Sequence, residues 1–278
     1  MATLVFFHAH PDDESIGTGG TIAKAVHLGH RVVVVVATNG ELGAQPEGLL
    51  RPGESLRDRR LSETVEAARI LGVHRLEFLG YRDSGMMGTA TNDDPDCFWA
   101  ADVDAAAARL SAILVDEGAD MLTVYDETGV TGHPDHIQVH RVGLRAAARA
   151  GVANVFEGTM SRSQARRLIQ HAMSADEGVD AVTLDLDHDV FGTPDELITD
   201  RIDVRAYLDV KRRAMAAHAS LISETSLFLT LPPAVFEEVW GYECCLRRGG
   251  ADSGFENLFS FEAAAVIGPA GVAAPRLG

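Results

Sequence analysis

Two short segments rich in histidine and aspartate have the side chains to carry out chemistry. Residues 10–14 read HPDDE, and residues 133–136 read HPDH. Each segment follows an apolar stretch, and the two share much of their composition. Imidazole and carboxylate ligands in an open three-ligand site suit zinc or iron(II). The sequence therefore predicts one divalent metal site assembled from two loops, and hence a hydrolase.

The spacing within each segment suggests which residues bind the metal. His10 and Asp13 are close enough on one tight loop to bind the same ion. His136 lies about one helical turn after His133, so both side chains point to the same side. We expect His10, Asp13 and His136 to be the ligands, with water in the open position.

Four further side chains are candidates for the catalytic machinery. A metal lowers the pKa of bound water from 15.7 to roughly 7, and Asp12 can act as the general base. His133 can give a hydrogen bond or a proton to the tetrahedral oxyanion. Asp135 and Glu14 are expected to support the site from behind the ligands, and Asp135 is expected to orient His133 or a ligand histidine. A simpler interpretation is that Asp12 or Glu14 caps the following helix, and both roles can hold at once.

The surrounding sequence alternates between strand and helix patterns. Strands are predicted at 3–8, 31–38, 75–79 and 121–125, and helices at 20–27, 54–71, 102–117 and 133–150. The five consecutive valines at 32–36 suit a strand that is covered on both faces. This alternation predicts an α/β fold with a doubly wound, mostly parallel sheet sandwiched by helices, Rossmann-like in layout. Ligands of such sheets bind at the carboxyl ends of the strands, where both motif segments lie.

The second half of the chain has a weaker pattern. We expect a strand at 182–186, a helix at 204–220 and a late strand or strand pair at 236–246. The polar 158–200 segment matches regular elements poorly and is predicted to shape the mouth of a pocket. Residues 1–278 are predicted to form one domain, divided into a metal-site core at 1–150, pocket and closing elements at 151–267, and a flexible tail at 268–278.

The composition of the chain indicates which binding partners and which cellular location to expect. The net charge of −17 disfavours nucleic acid and anionic membranes as partners. No apolar run approaches the roughly 18 residues of a spanning helix. The N-terminus lacks the features of a secretory signal, and the three cysteines form no disulfide framework, so we expect a cytoplasmic protein. The pattern leaves open whether it forms a homo-oligomer.

The two motifs together resemble the LmbE/PIG-L family of zinc-dependent N-acetylglucosaminyl deacetylases, especially its mycothiol-pathway deacetylase and conjugate amidase branch. The resemblance covers residues 3–150 and continues more loosely over 203–223, which include Lys211 and His218. It implies zinc on the three ligands above and an amino-sugar small molecule as substrate. It also implies substrate contacts from Arg60 and Asp83. Without the resemblance, Arg60 would be placed on a solvated helix face or in a salt bridge to Glu63 or Glu66. Asp83 would be placed in a turn.

One position departs from the family pattern. The mycothiol-type enzyme has a tyrosine two residues before the first histidine of the second motif, and this chain has Thr131 there. Either His133 and the metal are sufficient without it, or Tyr125 or another group takes its place.

The sequence is compatible with three functions. The expected activity is removal of an N-acetyl group from a glucosamine-containing small molecule. The alternatives are an amidase acting on a larger thiol conjugate and a sugar- or nucleotide-binding module without catalysis. A simple nucleotide-binding module is disfavoured because no glycine-rich phosphate-binding fingerprint follows the first strand.

Overall fold

One mixed sheet forms the centre of the molecule. The structure is a computed structural model that describes residues 1–43, 48–174 and 192–248, and within these ranges the sheet has seven strands in the order β3-β2-β1-β4-β5-β7-β6. The strands are β1 (Thr3–His8), β2 (Arg31–Thr38), β3 (Arg75–Tyr81), β4 (Met121–Tyr125), β5 (Asn154–Thr159), β6 (Asp200–Asp203) and β7 (Tyr242–Arg248). Strands β1 to β5 pair in parallel, whereas β6 and β7 pair antiparallel at one edge. The mostly parallel sheet confirms the predicted fold class.

Helices cover both faces of the sheet. They are α1 (Asp13–Gly17), α2 (Gly19–His27), α3 (Leu56–Leu71), α4 (Val103–Asp116), α5 (Gly129–Gly132), α6 (Pro134–Ala150), α7 (Arg162–Ser174), α8 (Leu208–Ala217), α9 (Leu227–Thr230) and α10 (Pro233–Trp240). Helices α4 and α6 pack on one face, and α2, α3 and α8 pack on the other. The central strands are therefore buried on both sides.

The valine run at 32–36 explains why the centre of the sheet is buried from solvent. Residues 32–36 are fully buried, and alternate valines enter the cores on opposite faces. Burying a valine side chain contributes about 1.5–3 kcal/mol, and β-branched residues favour the extended backbone. The core thus fixes β1 beside β2 and β4, and it brings the carboxyl ends of β1 and β4 together.

Several sequence predictions in the second half need correction. The late strand expected at 236–246 is helix α10 up to Trp240 and strand β7 after Gly241. Pro233 at the first helical position and apolar residues at 235, 236, 239 and 240 follow a helical period. The helix expected at 204–220 is shorter, because a 3-10 turn at Arg205–Tyr207 precedes α8.

The described parts of the 158–200 segment, residues 158–174 and 192–200, are more regular than expected. They contain helix α7, whose first turn is capped when the Ser161 hydroxyl accepts from the Gln164 amide (3.1 Å). Ala165 is buried, Leu168 packs against the cluster around Trp240, and Gln164 donates to the Val239 and Tyr242 carbonyls, so this polar helix is held by a few inward-facing side chains. The strand expected at 182–186 and the tail at 268–278 lie outside the described residues.

The described residues contain no helix that is both long enough and apolar enough to span a bilayer.

Candidate active site

The loop after β1 is held in a tight, strained turn. Asp12 has φ 118°, a conformation that side chains other than glycine rarely adopt. Two carboxylates hold this turn: Asp13 Oδ2 accepts from the His10 amide (2.8 Å), and Glu14 Oε2 accepts from the Asp12 amide (3.0 Å). Hydrogen bonds from the backbone amides to these two carboxylates therefore help to compensate the strain.

The second loop is built by the start of α6. His133 is the N-cap residue of α6, and its Nδ1 accepts from the Asp135 amide (3.2 Å), with Pro134 in the first turn. Just before it, Val130 has φ 63°, so this loop is strained as well. Because β1 and β4 are parallel neighbours, the two loops meet at the carboxyl edge of the sheet.

His10, Asp13 and His136 converge on one point. Asp13 Oδ2 lies 3.4 Å from His10 Nδ1 and 3.4 Å from His136 Nε2, and the two ring nitrogens are 3.3 Å apart. In a tetrahedral site with zinc–ligand bonds of about 2.0–2.1 Å, neighbouring ligand atoms are separated by about 3.3–3.4 Å. The three side chains therefore fit three corners of a zinc-sized tetrahedron.

Other combinations of donors lie close by. His10, His133 and His136 have ligand atoms within 4.8 Å of one another, and so does a second set made of His10, Asp83, His133 and Asp135. In the second set, however, both carboxylates are engaged by the loop of β3. Asp135 accepts from the Ser84 amide (2.9 Å), and Asp83 accepts from the Gly85 amide (2.8 Å).

Asp135 orients a predicted ligand. His10 Nε2 lies 3.1 Å from Asp135 Oδ2, which leaves Nδ1 facing Asp13. The Ser84 hydroxyl also donates to Asp135. Of the two orienting roles considered for Asp135, the side-chain contact is made with His10, whereas His133 contacts only its backbone amide. A histidine that donates its second N–H to a carboxylate is a recurrent device of metal sites.

His136 is oriented differently. Within the described ranges, its Nδ1 is buried and has no hydrogen-bond partner. Instead, the ring of Tyr125 stacks on it, with centroids 4.3 Å apart and an interplanar angle of 15°. The Tyr125 hydroxyl lies 2.9 Å from His8 Nδ1, and the other His8 nitrogen lies 2.9 Å from the Thr18 hydroxyl. Packing of an aromatic ring thus fixes this imidazole.

The cluster shifts the pKa values of its members strongly. Burial lowers the pKa of His136 to about 4. Burial also disfavours the charged form of His10, but hydrogen bonds to Asp13 and Asp135 outweigh it and raise its pKa. Burial and the charge of Asp13 raise the pKa of Asp12 well above its usual value. Burial would likewise raise the pKa of Asp13, yet His136 and His10 hold it far below its usual range.

Glu14 lies beneath the site and away from the three converging atoms. It is fully buried, and its Oε1 lies 2.7 Å from His218 Nε2 and accepts from the Ser15 hydroxyl at 2.7 Å. Burial would lower the pKa of His218, but Glu14 outweighs it and raises that pKa. Glu14 therefore connects the Asp12 turn to His218 at the end of α8 through hydrogen bonds. In this way it supports the site from behind the ligands.

Arg60 and Asp83 border the same site. Arg60 is 3% exposed and donates to the Gly40 carbonyl, so its assignment to a solvated helix face is wrong. Asp83 is 6% exposed, and its carboxylate lies 3.8 Å from His10 Nε2. Asp83 thus lies next to a converging ligand, and Arg60 is close enough to Asp12 and Asp83 to interact with them electrostatically. Contact of either side chain with a sugar stays a prediction.

Sequence reasoning did not find all of the groups at this site. Ser84 supports Asp135, and Ser220 donates its hydroxyl to Glu63 at 2.6 Å. His8, at the end of β1, is buried, and its Nδ1 forms the polar contact with the Tyr125 hydroxyl. Serines carry little signal in a single sequence, because their partners are distant along the chain and become neighbours only in the fold.

The fold and site together define a doubly wound α/β protein with a candidate histidine–aspartate metal centre at the carboxyl edge of its sheet. The sequence pattern of PIG-L, described as GlcNAc-PI de-N-acetylase, matches residues 5–147. The chain belongs to this family, which confirms the resemblance seen in its two motifs.

Similar proteins extend the comparison over most of the chain. A 1D-myo-inositol 2-acetamido-2-deoxy-alpha-D-glucopyranoside deacetylase of Thermobifida fusca is 39% identical over 264 residues, covering 86% of this chain and 90% of the relative. The protein of the same name from Acidothermus cellulolyticus is 41% identical over 264 residues, covering 90% of each.

Two solved structures share the fold. One is the N,N'-diacetylchitobiose deacetylase from Pyrococcus horikoshii, with a TM-score of 0.51 and 21% identity, covering 91% of this chain and 86% of the other. The second is a deacetylase–bog complex from the biosynthesis pathway of teicoplanin, with a TM-score of 0.58 and 18% identity, covering 91% and 100%.

Proposed function

We propose that this protein is a zinc-dependent deacetylase that removes the N-acetyl group from a glucosamine-containing small molecule. Family membership and the names of its relatives support the reaction. The observation that carries the proposal is the triangle of His10, Asp13 and His136, whose mutual distances of 3.3–3.4 Å match a tetrahedral metal site.

These three residues would hold the metal, with His10 and His136 as nitrogen donors and Asp13 as the oxygen donor. A bound zinc ion polarises a carbonyl and lowers the pKa of water. Iron(II) also accepts this donor set. Asp135 and Tyr125 keep the two imidazoles in place, by a hydrogen bond and by stacking respectively.

Asp12 would act as the general base. Asp12 is itself the strained residue of the turn, and burial beside Asp13 raises its pKa, which makes it a better proton acceptor than a free carboxylate. Taking the proton from water allows attack on the amide carbon, and the proton then passes to the leaving amine as the C–N bond breaks. His218, His10 and Arg60 act in the opposite direction on Asp12 and favour its charged form, without outweighing burial and Asp13.

His133 would stabilise the oxyanion. Its Nδ1 is occupied by the Asp135 amide, so Nε2 is the nitrogen that remains for substrate. Burial and His10 lower the pKa of His133, and a neutral imidazole with its proton on Nε2 donates a hydrogen bond there. Arg60 and Asp83 would hold hydroxyl groups of the sugar on the same side of the site.

The test is a release assay with defined metal content. Zinc-loaded protein is incubated with 1D-myo-inositol 2-acetamido-2-deoxy-α-D-glucopyranoside and with N-acetylglucosamine, and free amine is measured. We expect amine release from the first substrate with higher kcat/KM, because only it carries the inositol named for the relatives. If neither compound releases amine while zinc is bound, the proposal is wrong. Turnover restricted to larger thiol conjugates would favour the amidase alternative.

A further inference from the structure

A cavity of about 270 Å³ opens directly beside the converging ligands. Its wall includes Asp13 and His136 on one side and reaches between β5, β7, α7 and α10 on the other. A group bound in this cavity therefore touches the candidate metal centre at one end. The predicted sugar contacts, Arg60 and Asp83, are not among its lining residues.

The lining of the cavity is largely apolar. Its aliphatic and aromatic side chains include Val124, Met160, Leu168, Phe228, Val239 and Trp240. An apolar cavity of about 150 Å³ is large enough to bind benzene, so this one has room for a chain of several carbons. The methyl of an acetyl group needs only a small part of that space.

One charged pair contributes to the wall, and its charges are compensated. Lys211 Nζ lies 2.5 Å from Glu243 Oε1, and the same carboxylate accepts from the amides of Gly20 (2.9 Å) and Thr21 (2.7 Å). The ammonium also lies 5.0 Å from the centre of the Trp240 ring. With each charge already paired, an apolar guest matches this wall better than an ionic one.

Thr131 forms part of the rim. It is exposed, it lines the cavity, and it precedes His133 by two residues. A small side chain at this position leaves the path open between the candidate catalytic histidine and the apolar interior. A bulky side chain there would narrow the path.

We propose that this cavity binds the carbon chain of an acyl group longer than acetyl, so that the enzyme also hydrolyses medium-chain N-acyl amides of the same amino sugar. This inference rests on the proposed function, because it needs the amide carbonyl at the metal centre. Water adds to the carbonyl carbon, the C–N bond breaks, and a fatty acid and a free amine leave. The acyl chain is the part of the substrate bonded to that carbon on the side away from the sugar nitrogen, so it can extend into the cavity.

The experiment compares N-acetyl, N-butyryl and N-hexanoyl forms of the same glucosaminyl-inositol with the zinc-loaded protein. Burial of each methylene is worth about fourfold in binding. We expect kcat/KM for the hexanoyl amide to equal or exceed that for the acetyl amide. If the acetyl amide is cleaved and the hexanoyl amide reacts more than a hundredfold more slowly, the inference is wrong while the proposed function stands. If neither is cleaved, the proposed function itself fails.

Two variants locate the effect in the cavity. Thr131→Tyr narrows the rim, and Leu168→Trp fills the interior from α7. Each should lower the ratio of hexanoyl to acetyl kcat/KM at least tenfold. Thr225→Tyr, at an exposed threonine outside the cavity, should leave that ratio unchanged. An unchanged ratio in both cavity variants would contradict the inference.

Tryptophan fluorescence gives a reading that is independent of turnover. The chain has two tryptophans, and only Trp240 lines the cavity. In Trp99→Phe, which keeps Trp240 as the sole reporter, hexanoate should change the emission in a saturable way, and acetate should not. Leu168→Phe on this background should weaken hexanoate binding. A flat titration with hexanoate would overturn the assignment of the cavity to acyl chains.

Discussion

The two ends of the parallel strands differ in how well their charged groups are paired. We call the side of the sheet where these strands begin the amino edge and the side where they end the carboxyl edge. At the amino edge, Glu117 forms ion pairs with Arg31 (2.6 Å) and Arg75 (2.8 Å). None of these three residues has a positive φ. At the carboxyl edge, Asp12 and Val130 are the two non-glycine residues with positive φ among those described. The same edge buries imidazoles and carboxylates against one another.

This difference shows that backbone strain is concentrated at the carboxyl edge. A backbone outlier costs on the order of 1–3 kcal/mol, and it persists only when the surroundings stabilise it. Here the strained residues lie beside the candidate catalytic groups, while the matched ion pairs lie about the length of a strand away. We infer that the amino edge contributes stability and that the carboxyl edge keeps a geometry suited to chemistry.

The largest expected effect comes from removing a ligand at the carboxyl edge. His136→Ala should abolish stoichiometric metal binding and reduce deacetylation on the order of 10⁴-fold, because carbonyl polarisation and water activation are lost together. Elemental analysis and the amine-release assay measure the two effects. His27→Ala, at an exposed histidine, is the matched control. Full metal content in His136→Ala would contradict the ligand assignment.

The next effect separates catalysis from metal binding at the same edge. Asp12→Asn should keep the metal but reduce kcat by about 10²–10⁴-fold, the usual contribution of a general base. Asp209→Asn alters an exposed carboxylate on α8 and should leave both kcat and metal content unchanged. If Asp12→Asn retains nearly full activity with metal bound, another group must accept the proton.

A third variant tests how the strained turn is supported. His218→Ala leaves the buried Glu14 without its ion-pair partner, and such a loss costs about 3–5 kcal/mol. Urea unfolding followed by circular dichroism measures it. Arg69→Ala breaks the exposed pair with Glu66 and should cost far less stability than His218→Ala, because solvent screens a surface pair. Equal destabilisation by both variants would remove the distinction between buried and surface pairs.

The smallest effect concerns the amino edge. Hydrogen bonds from Arg31 and Arg75 lower the pKa of Glu117 to about 2, from an ordinary value of 4.5. A depressed carboxyl pKa stabilises the folded protein above pH 4.5, and this contribution is lost as the pH falls from about 4.5 to about 2. Since Arg31 is 40% exposed, we expect Glu117→Gln to cost about 1 kcal/mol at pH 7.

Stability measured at several pH values checks that assignment. The difference between wild type and Glu117→Gln should shrink steadily below pH 4.5, while deacetylation by the folded variant at pH 7 stays unchanged. A constant difference down to pH 2 would show that the ion pairs do not account for it.

The first half of the fold could be predicted from sequence because its signals are local. The valine run at 32–36 and the two motif segments each specify an element or a loop by themselves. Strands β1 and β4 were placed correctly, and the parallel layout then brought His10 and His136 to one edge. This inference needed only the period of the apolar residues and the rule for parallel sheets.

The second half depended on distant partners that a single sequence does not reveal. Helix α7 is polar along most of its length, and its packing relies on Gln164 donating to the carbonyls of Val239 and Tyr242. Strand β7 follows α10 after a single residue, so one apolar stretch contains both a helix and a strand. The stacking of Tyr125 on His136 likewise appears only when β4 and α6 are folded together.

The most direct test of the central claim is a crystal of the zinc-loaded protein measured at the zinc absorption edge. We predict one anomalous peak per chain, with His10 Nδ1, Asp13 Oδ2 and His136 Nε2 each about 2.0–2.2 Å from it. A peak coordinated instead by Asp83 and Asp135, or no peak with excess zinc in the crystal, would contradict the account.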